Sequence, residues 1–316
     1  MKGKRLQIGM IVLSLAIVAG GYAVWRHFNP VPCHKDVDCA WNAFQRIAFG
    51  NEYDPTISEE IVKWDRPIYI AVQTDKEDVH VPQVEAYINL VQPHVSYPIY
   101  LLNTQPEHHS NGFNTLILFS DDFEHDIYHR YKQDLYELFG NTNDFFDFYE
   151  SLKGENVLCA GYTVSSLQGV MGLSTIVIPS THDKKTLVGC IHEEITQGLG
   201  LINDYYGFTE TSFNDLEGYH HLMVLDILLL RILYHPDIKP GMSIEEVGKI
   251  FPTIFNEVKE FSASTCCVDN TLRTRLGYGH TLFFKHLVWV NKEAVTSLQR
   301  ESAAAGWFNT AERYMT

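Results

Sequence analysis

Apolar positions fall into three regimes along the chain. From residue 6 to residue 25 they are nearly unbroken, with one interior amide, Gln7, and no charge. As a helix that run would be about 30 Å long, enough to cross a bilayer. In the middle of the chain, β-branched and aromatic runs at 67–72, 99–102, 115–119, 157–164 and 175–178 predict strands. Helical spacing over 39–49, 84–91, 127–152 and 184–199 predicts helices among them, the long acidic one breaking near Gly140 and Asn141. A polar loop at 107–111, carrying His108 and His109, separates two of the strands. Past Pro240 the pattern is helical only, with Ser243 capping a helix predicted over 244–261 and a last one over 281–299. The Gly277-Tyr278-Gly279-His280 stretch lacks the lysine and spacing of a phosphate loop and reads as a turn.

Composition narrows the class. At 316 residues, 45% hydrophobic and 20% charged, the chain can bury a full core and fits one main domain with extensions. Its net charge of −15 becomes −19 once the four basic residues of the first 28, which hold no acid, are set aside. Such a chain lacks the basic face that nucleic-acid binding requires. Lys2, Lys4 and Arg5 ahead of the apolar run keep the N-terminus cytoplasmic, so the bulk of the chain is expected outside the inner membrane. Two readings of the run remain: a retained single-pass anchor, favoured because apolar residues continue through Val24 and Trp25, or a signal peptide cleaved near Ala19 to Ala23. The absence of any Asn-x-Ser/Thr sequon fits a bacterial periplasm.

Six cysteines agree with an oxidising compartment. Cys33 and Cys39 bracket a five-residue loop that a disulfide could close. Cys159 opens a predicted strand and Cys190 lies in the helix predicted over 184–199, so a bridge there would fasten helix to sheet. Cys266 and Cys267 are adjacent, and no pairing follows from sequence alone. The cysteines have no C-x-x-C spacing for a zinc ribbon.

The chemistry-bearing stretch runs from Cys190 to Asp204. Glu193, Gln197 and Gly200 stand at i, i+4 and i+7, on one helix face. The plain alternative for such a pattern is a solvated polar stripe. Against it stands the frame H-E-x-x-H-x-x-G-x-x-H of a zinc-peptidase helix, here with every histidine replaced. In that register Glu193 takes the first ligand place, Glu194 is the candidate general base, Gln197 the second ligand, Gly200 the turn glycine and Asn203 the third ligand. A register starting at His192 puts Thr196, Leu199 and Ile202 where ligands and turn belong, so His192 is read as a neighbour of the site. Farther on come Ser212-Phe213-Asn214-Asp215 and an apolar stretch at 222–234 in which Asp226 is expected to be buried and hydrogen-bonded.

That order of motifs resembles the matrixin-type zincin metallopeptidases, in which a Ser-x-Met-Tyr turn passes beneath the metal and a helix bearing an Asp follows. More closely, the chain resembles a bacterial family of unknown function, domain of unknown function 2927. It shares Glu-Glu-x-Thr-Gln-x-Leu-Gly-Leu-x-Asn-Asp at 193–204, the Ser212-to-Asp215 turn, and Leu233-Tyr234-His235-Pro236 with Pro240-Gly241-Met242. The likeness spans about 44–242 and includes 47–53 and Trp64-Asp65-Arg66-Pro67. It implies an α+β fold, a zincin-like mixed sheet packed against the signature helix, with an N-terminal transmembrane helix and a helical C-terminal subdomain. The corresponding segments are 1–28 for the anchor or signal peptide, 29–63 for a linker and short helix, 64–242 for the zincin-like domain, and 243–316 for the rest.

The resemblance further implies that Glu193, Glu194, Gln197, Asn203, Asp204 and Asp215 gather on the floor of a cleft, with Gly200, Ser212 and Phe213 shaping its turns. The strand at 175–178 is expected to run along that cleft, where a peptide could add as a strand. Amide oxygens are poor zinc ligands, so Glu193, Gln197 and Asn203 would suit at most a hard divalent metal, and no cofactor is assigned. His220 and His221 read as surface or half-buried side chains. Two functions are in view: a non-catalytic, membrane-anchored module whose cleft holds a peptide or an envelope protein, and a hydrolase using Glu194 as base with an unconventional metal site. Neither involves nucleic acid.

Overall fold

The computed structural model describes residues 31–50, 60–105, 107, 112–122, 125–126, 159–180, 183–205, 207–208, 210–214 and 221–260. The apolar run at 6–25, the helices expected at 127–152 and 281–299, and His108, His109, Asp215, His220, Cys266 and Cys267 lie outside the described residues. Within them no helix is long and apolar enough to cross a membrane.

The centre is a five-stranded mixed sheet. Strands β1 (Ile68–Gln73), β2 (Ile99–Leu101), β3 (Thr115–Ser120), β4 (Ala160–Ser165) and β5 (Met171–Pro179) are ordered β2-β1-β3-β5-β4. All neighbours are parallel except β4, which runs antiparallel to β5. Strand β3 is buried at every residue, as its unbroken apolar run requires of a central parallel strand. One expectation is corrected here. The strand predicted at 175–178 belongs to β5, which lies inside the sheet with β3 on one side and β4 on the other. Its backbone groups are committed to two neighbours, so no further strand can add to it.

Five α-helices are described: α1 (Val37–Ala48), α2 (Glu77–Val91), α3 (Lys184–Gln197), α4 (Val224–Leu233) and α5 (Ile244–Val258). Helix α2 starts earlier than its apolar spacing predicts, because its first turn is polar and Pro82 sits inside it, which together mask the helical period. Asp36 caps α1 through the amides of Asp38 and Cys39, and Ser243 with Glu246 forms a capping box on α5. Helix α4 is apolar on nearly all sides and buried accordingly, only Arg231 being partly exposed. Aromatic packing of Trp41 and Phe44 against Phe251 joins α1 to α5.

Both disulfides expected from the sequence are formed. Cys33 is bonded to Cys39 across the start of α1. Cys159, just ahead of β4, is bonded to Cys190 of α3, with Cα atoms 5.9 Å apart. The second ties the signature helix to the outermost strand of the described sheet.

The segment 61–64 threads between the sheet and the ends of two helices. Ile61 exchanges backbone hydrogen bonds with Met242 and Gly241 at 2.9 and 2.8 Å, and Lys63 with Gly169 and Met171 at 3.0 Å each. Gly169 and Gly241 both have positive φ, and a Cβ on Gly169 would stand 2.2 Å from the Ile61 carbonyl. The chain passes too close there for any side chain.

Candidate functional site

Helix α3 is set by its ends. Asp183 caps its start, accepting from the amides of Lys185 and Thr186. At its finish Leu201 N donates to Thr196 O at 3.4 Å and Gly200 N to Gln197 O at 2.8 Å, a Schellman pattern with glycine in the left-handed position. Gly200 has φ +114°, and a Cβ there would lie 2.5 Å from the Val62 carbonyl. The glycine assigned to the turn is therefore required twice over, by conformation and by space.

The carbonyls just beyond the last turn are satisfied by two buried aromatic donors. Trp64 Nε1 donates to Gly198 O at 2.8 Å, and the Tyr234 hydroxyl to Leu199 O at 2.8 Å. Beside them the buried Lys63 ammonium donates to Leu233 O at 2.7 Å and Ile238 O at 2.8 Å, closing the end of α4. It also sits 5.1 Å from the centre of the Tyr234 ring. Burial, with Lys239 adding charge of the same sign, lowers its pKa to about 7. Sequence reasoning quoted Trp64 only as part of a motif and missed Lys63 altogether.

Along α3 the predicted site residues part company. Glu194 is 6% exposed and faces β4, where a Cβ on Gly161 would stand 3.2 Å from its Oε2. Gly161 thus makes room for the carboxylate, and a glycine inside a strand pattern is the signal that could have found it. Glu193 is half-buried on the same helix. Gln197 reaches across the turn, its Nε2 donating to Asp204 Oδ1 at 2.8 Å. So Gln197 and Asp204 are brought together as expected.

Asn203 is not. Its side chain donates to Arg46 O at 2.7 Å and its backbone N–H to Ile47 O at 3.1 Å, both at the end of α1. The final carbonyls of a helix lack intrahelical donors, and Asn203 supplies two of them. Gly50 leaves the room, since a Cβ on it would come within 2.3 Å of Asn203 Nδ2. The correction is physical: the Gly200 turn carries the chain over α1, away from the face that holds Gln197. Arg46 itself lies over the Tyr205 ring, 5.4 Å from its centre.

Around the helix the supporting groups are tied down. His192 accepts from Leu222 N at 3.3 Å through Nδ1 and meets the rings of Tyr87 and His221 edge-on. Burial, reinforced by His221, lowers its pKa to about 4, so the imidazole is neutral. Tyr87, its hydroxyl pKa pushed up by burial, shares a 2.8 Å hydrogen bond with Thr196, which also donates to the His192 carbonyl. The Ser212-Phe213 turn is buried and fixed by Asp226, which accepts from the Thr211 hydroxyl, Ser212 N at 2.9 Å and Met223 N at 2.7 Å. Burial raises the Asp226 carboxyl to about 6 against those three donors. The buried, hydrogen-bonded role read from its place in an apolar helix holds.

The residues in the ligand places do not fit a zinc ion. One of the two amides is turned to the end of α1 and the other is bonded to Asp204. Among the described residues no group of three or more His, Cys, Asp or Glu is arranged to hold a metal.

A search of the curated proteins returns no match, and neither does one of the solved structures. The family model described as protein of unknown function (DUF2927) matches residues 39–265, most of the chain. The chain therefore belongs to the DUF2927 family.

Proposed function

We propose that this is a non-catalytic, zincin-like binding module, anchored by its N-terminal segment in the bacterial inner membrane and facing the periplasm. Its polar helix face takes up a peptide or an envelope protein. The observation that carries this reading is the fate of the two amides in the metal-ligand places: Gln197 holds Asp204 and Asn203 closes α1. Both act as scaffold, which is what remains of a peptidase frame once catalysis is no longer its use. The zincin likeness draws support from the element order, since the sheet precedes the signature helix and a glycine turn ends that helix. An exported location is in keeping with two disulfides and no free cysteine among the described residues.

A second reading keeps one specific observation in its favour. Glu194, in the general-base place, is buried against the glycine gap in β4, which fixes the position of its carboxylate. It would make the protein a peptidase-like hydrolase. The deciding experiment compares melting temperature with an in-cell phenotype for Glu194→Gln, Glu193→Ala and Gln197→Ala. The binding reading expects Glu194→Gln to keep function, and loss of function in a stably folded Glu194→Gln protein overturns it. Elemental analysis of tag-free protein adds a check: near-stoichiometric zinc through Glu193 and Gln197 would also sink it.

A further inference from the structure

The Lys63 ammonium is buried among groups that offer dipoles but no opposite charge. It is 3% exposed and bonded to two carbonyls, with the Tyr234 ring beside it. No carboxylate among the described residues pairs with it. Just past the end of α4, Tyr234 faces it with a hydroxyl whose pKa burial pushes up, and His235 is taken by Asp237 at 3.8 Å and Glu257 at 3.1 Å. From the following loop comes Lys239, of the same sign. On its own segment Asp65 is paired with Arg66 at 3.0 Å. Neither the adjoining Val170 and Met171 nor the 198–201 turn offers a titratable side chain.

The same few residues hold the end of the site helix. Trp64, next in sequence, grips Gly198 O, and Tyr234, beneath the ammonium, grips Leu199 O. The Val62 carbonyl and Lys63 Cα lie 2.5 and 3.5 Å from where a Cβ on Gly200 would be. Any movement that lets Lys63 reach water must therefore disturb the turn through which α3 passes to Asn203 and Asp204.

We infer that Lys63 is an acid-sensitive latch on the site turn: held most firmly closed at alkaline pH, and loosened as pH falls because the ammonium gains its proton more readily where the junction of segment 61–64 with Gly198 to Gly200 has opened to water. The sign follows from proton linkage. In the closed form the group titrates near 7, against 10.5 for an exposed lysine. Open states bind the extra proton between those values, so the closed state is most favoured above 10.5, loses ground as pH falls to 7, and loses no more below. Asp226, near 6 with a raised pKa, acts at the other end of α4 and with the opposite slope, below this window.

The test is amide exchange at Leu199 to Leu201 and at the Trp64 indole in the full chain, corrected for intrinsic rates. Protection should fall about tenfold per pH unit from pH 9 to 7 and level off below. Lys63→Met should flatten the profile. If that variant does not fold, Lys239→Gln, at an exposed site, should move the levelling point upward, and a side-chain titration of Lys63 by nuclear magnetic resonance should place its midpoint near 7. Protection that does not change from pH 9 to 6, an unmoved levelling point in Lys239→Gln, or a Lys63 midpoint near that of a free lysine would each overturn the inference.

Discussion

Two regions meet at the end of helix α3, and they are built on opposite principles. On one side, the junction of segment 61–64 with Gly198 to Gly200, Tyr234 and Gly241 is a lattice of short, specific bonds between segments far apart in sequence. On the other, Glu193 and Gln197 stand half-buried along α3, with Gln197 bonded to Asp204 and Glu194 turned in against β4. The stretches Trp64 to Pro67, Leu233 to Pro236 and Pro240 to Met242, with Gly200, fall mostly in the junction. They define how the site helix is held, and say much less about what its face does.

If that contrast is right, the largest losses of stability come from the junction. Gly200→Ala must adopt a positive φ and place a methyl group against the Val62 carbonyl. Backbone strain and overpacking together should cost about 4 kcal/mol, seen as a large drop in the denaturant midpoint. A variant as stable as the parent would show that the turn is not gripped as described. Next comes the Cys159 to Cys190 bridge, the covalent link from helix to sheet. Replacing both by serine should cost about 2 to 5 kcal/mol. Peptide mapping without reductant checks the premise, since both must appear in one linked peptide.

Smaller effects are expected from the aromatic donors. Trp64→Phe and Tyr234→Phe each leave one carbonyl of the turn buried without its donor, at about 1 to 3 kcal/mol. Because both brace the same turn, the double variant should deviate from additivity, whereas a pair of independent sites would add. Thermal melts of the two single variants and the double measure this directly.

Legibility in the sequence follows the same division. Strands β1, β3 and β5 were readable from their β-branched and aromatic runs, and α4 from its apolar length, because burial leaves a local pattern. Gly200 was readable because a left-handed turn demands glycine. Lys63 was not: a lone lysine looks like surface, and its acceptors lie 170 and 175 residues away in the chain. Asn203 misled for a related reason. The frame placed it by analogy with a metal ligand, while its real acceptor is a helix end 157 residues earlier. Position inside β5 was also hidden, since a continuous apolar run shows that a strand is buried but not which neighbours it pairs with.

The smallest effect on the fold should come from the residue with most to say about function. Glu194→Gln keeps the volume and shape that the Gly161 gap accommodates and exchanges a buried carboxylate for an amide. Its stability should stay within about 1 kcal/mol of the parent, in contrast to every junction variant above. Stability alone then separates the two regions, and the in-cell phenotype separates the two functions. A binding module tolerates the exchange, because the side chain is buried against β4 and an amide of the same shape fills the same gap. A general base does not, because an amide cannot take a proton from water. Glu194→Gln is thus expected to melt with the parent and to complement a deletion. Melting with the parent while failing to complement would move the site from scaffold to catalyst.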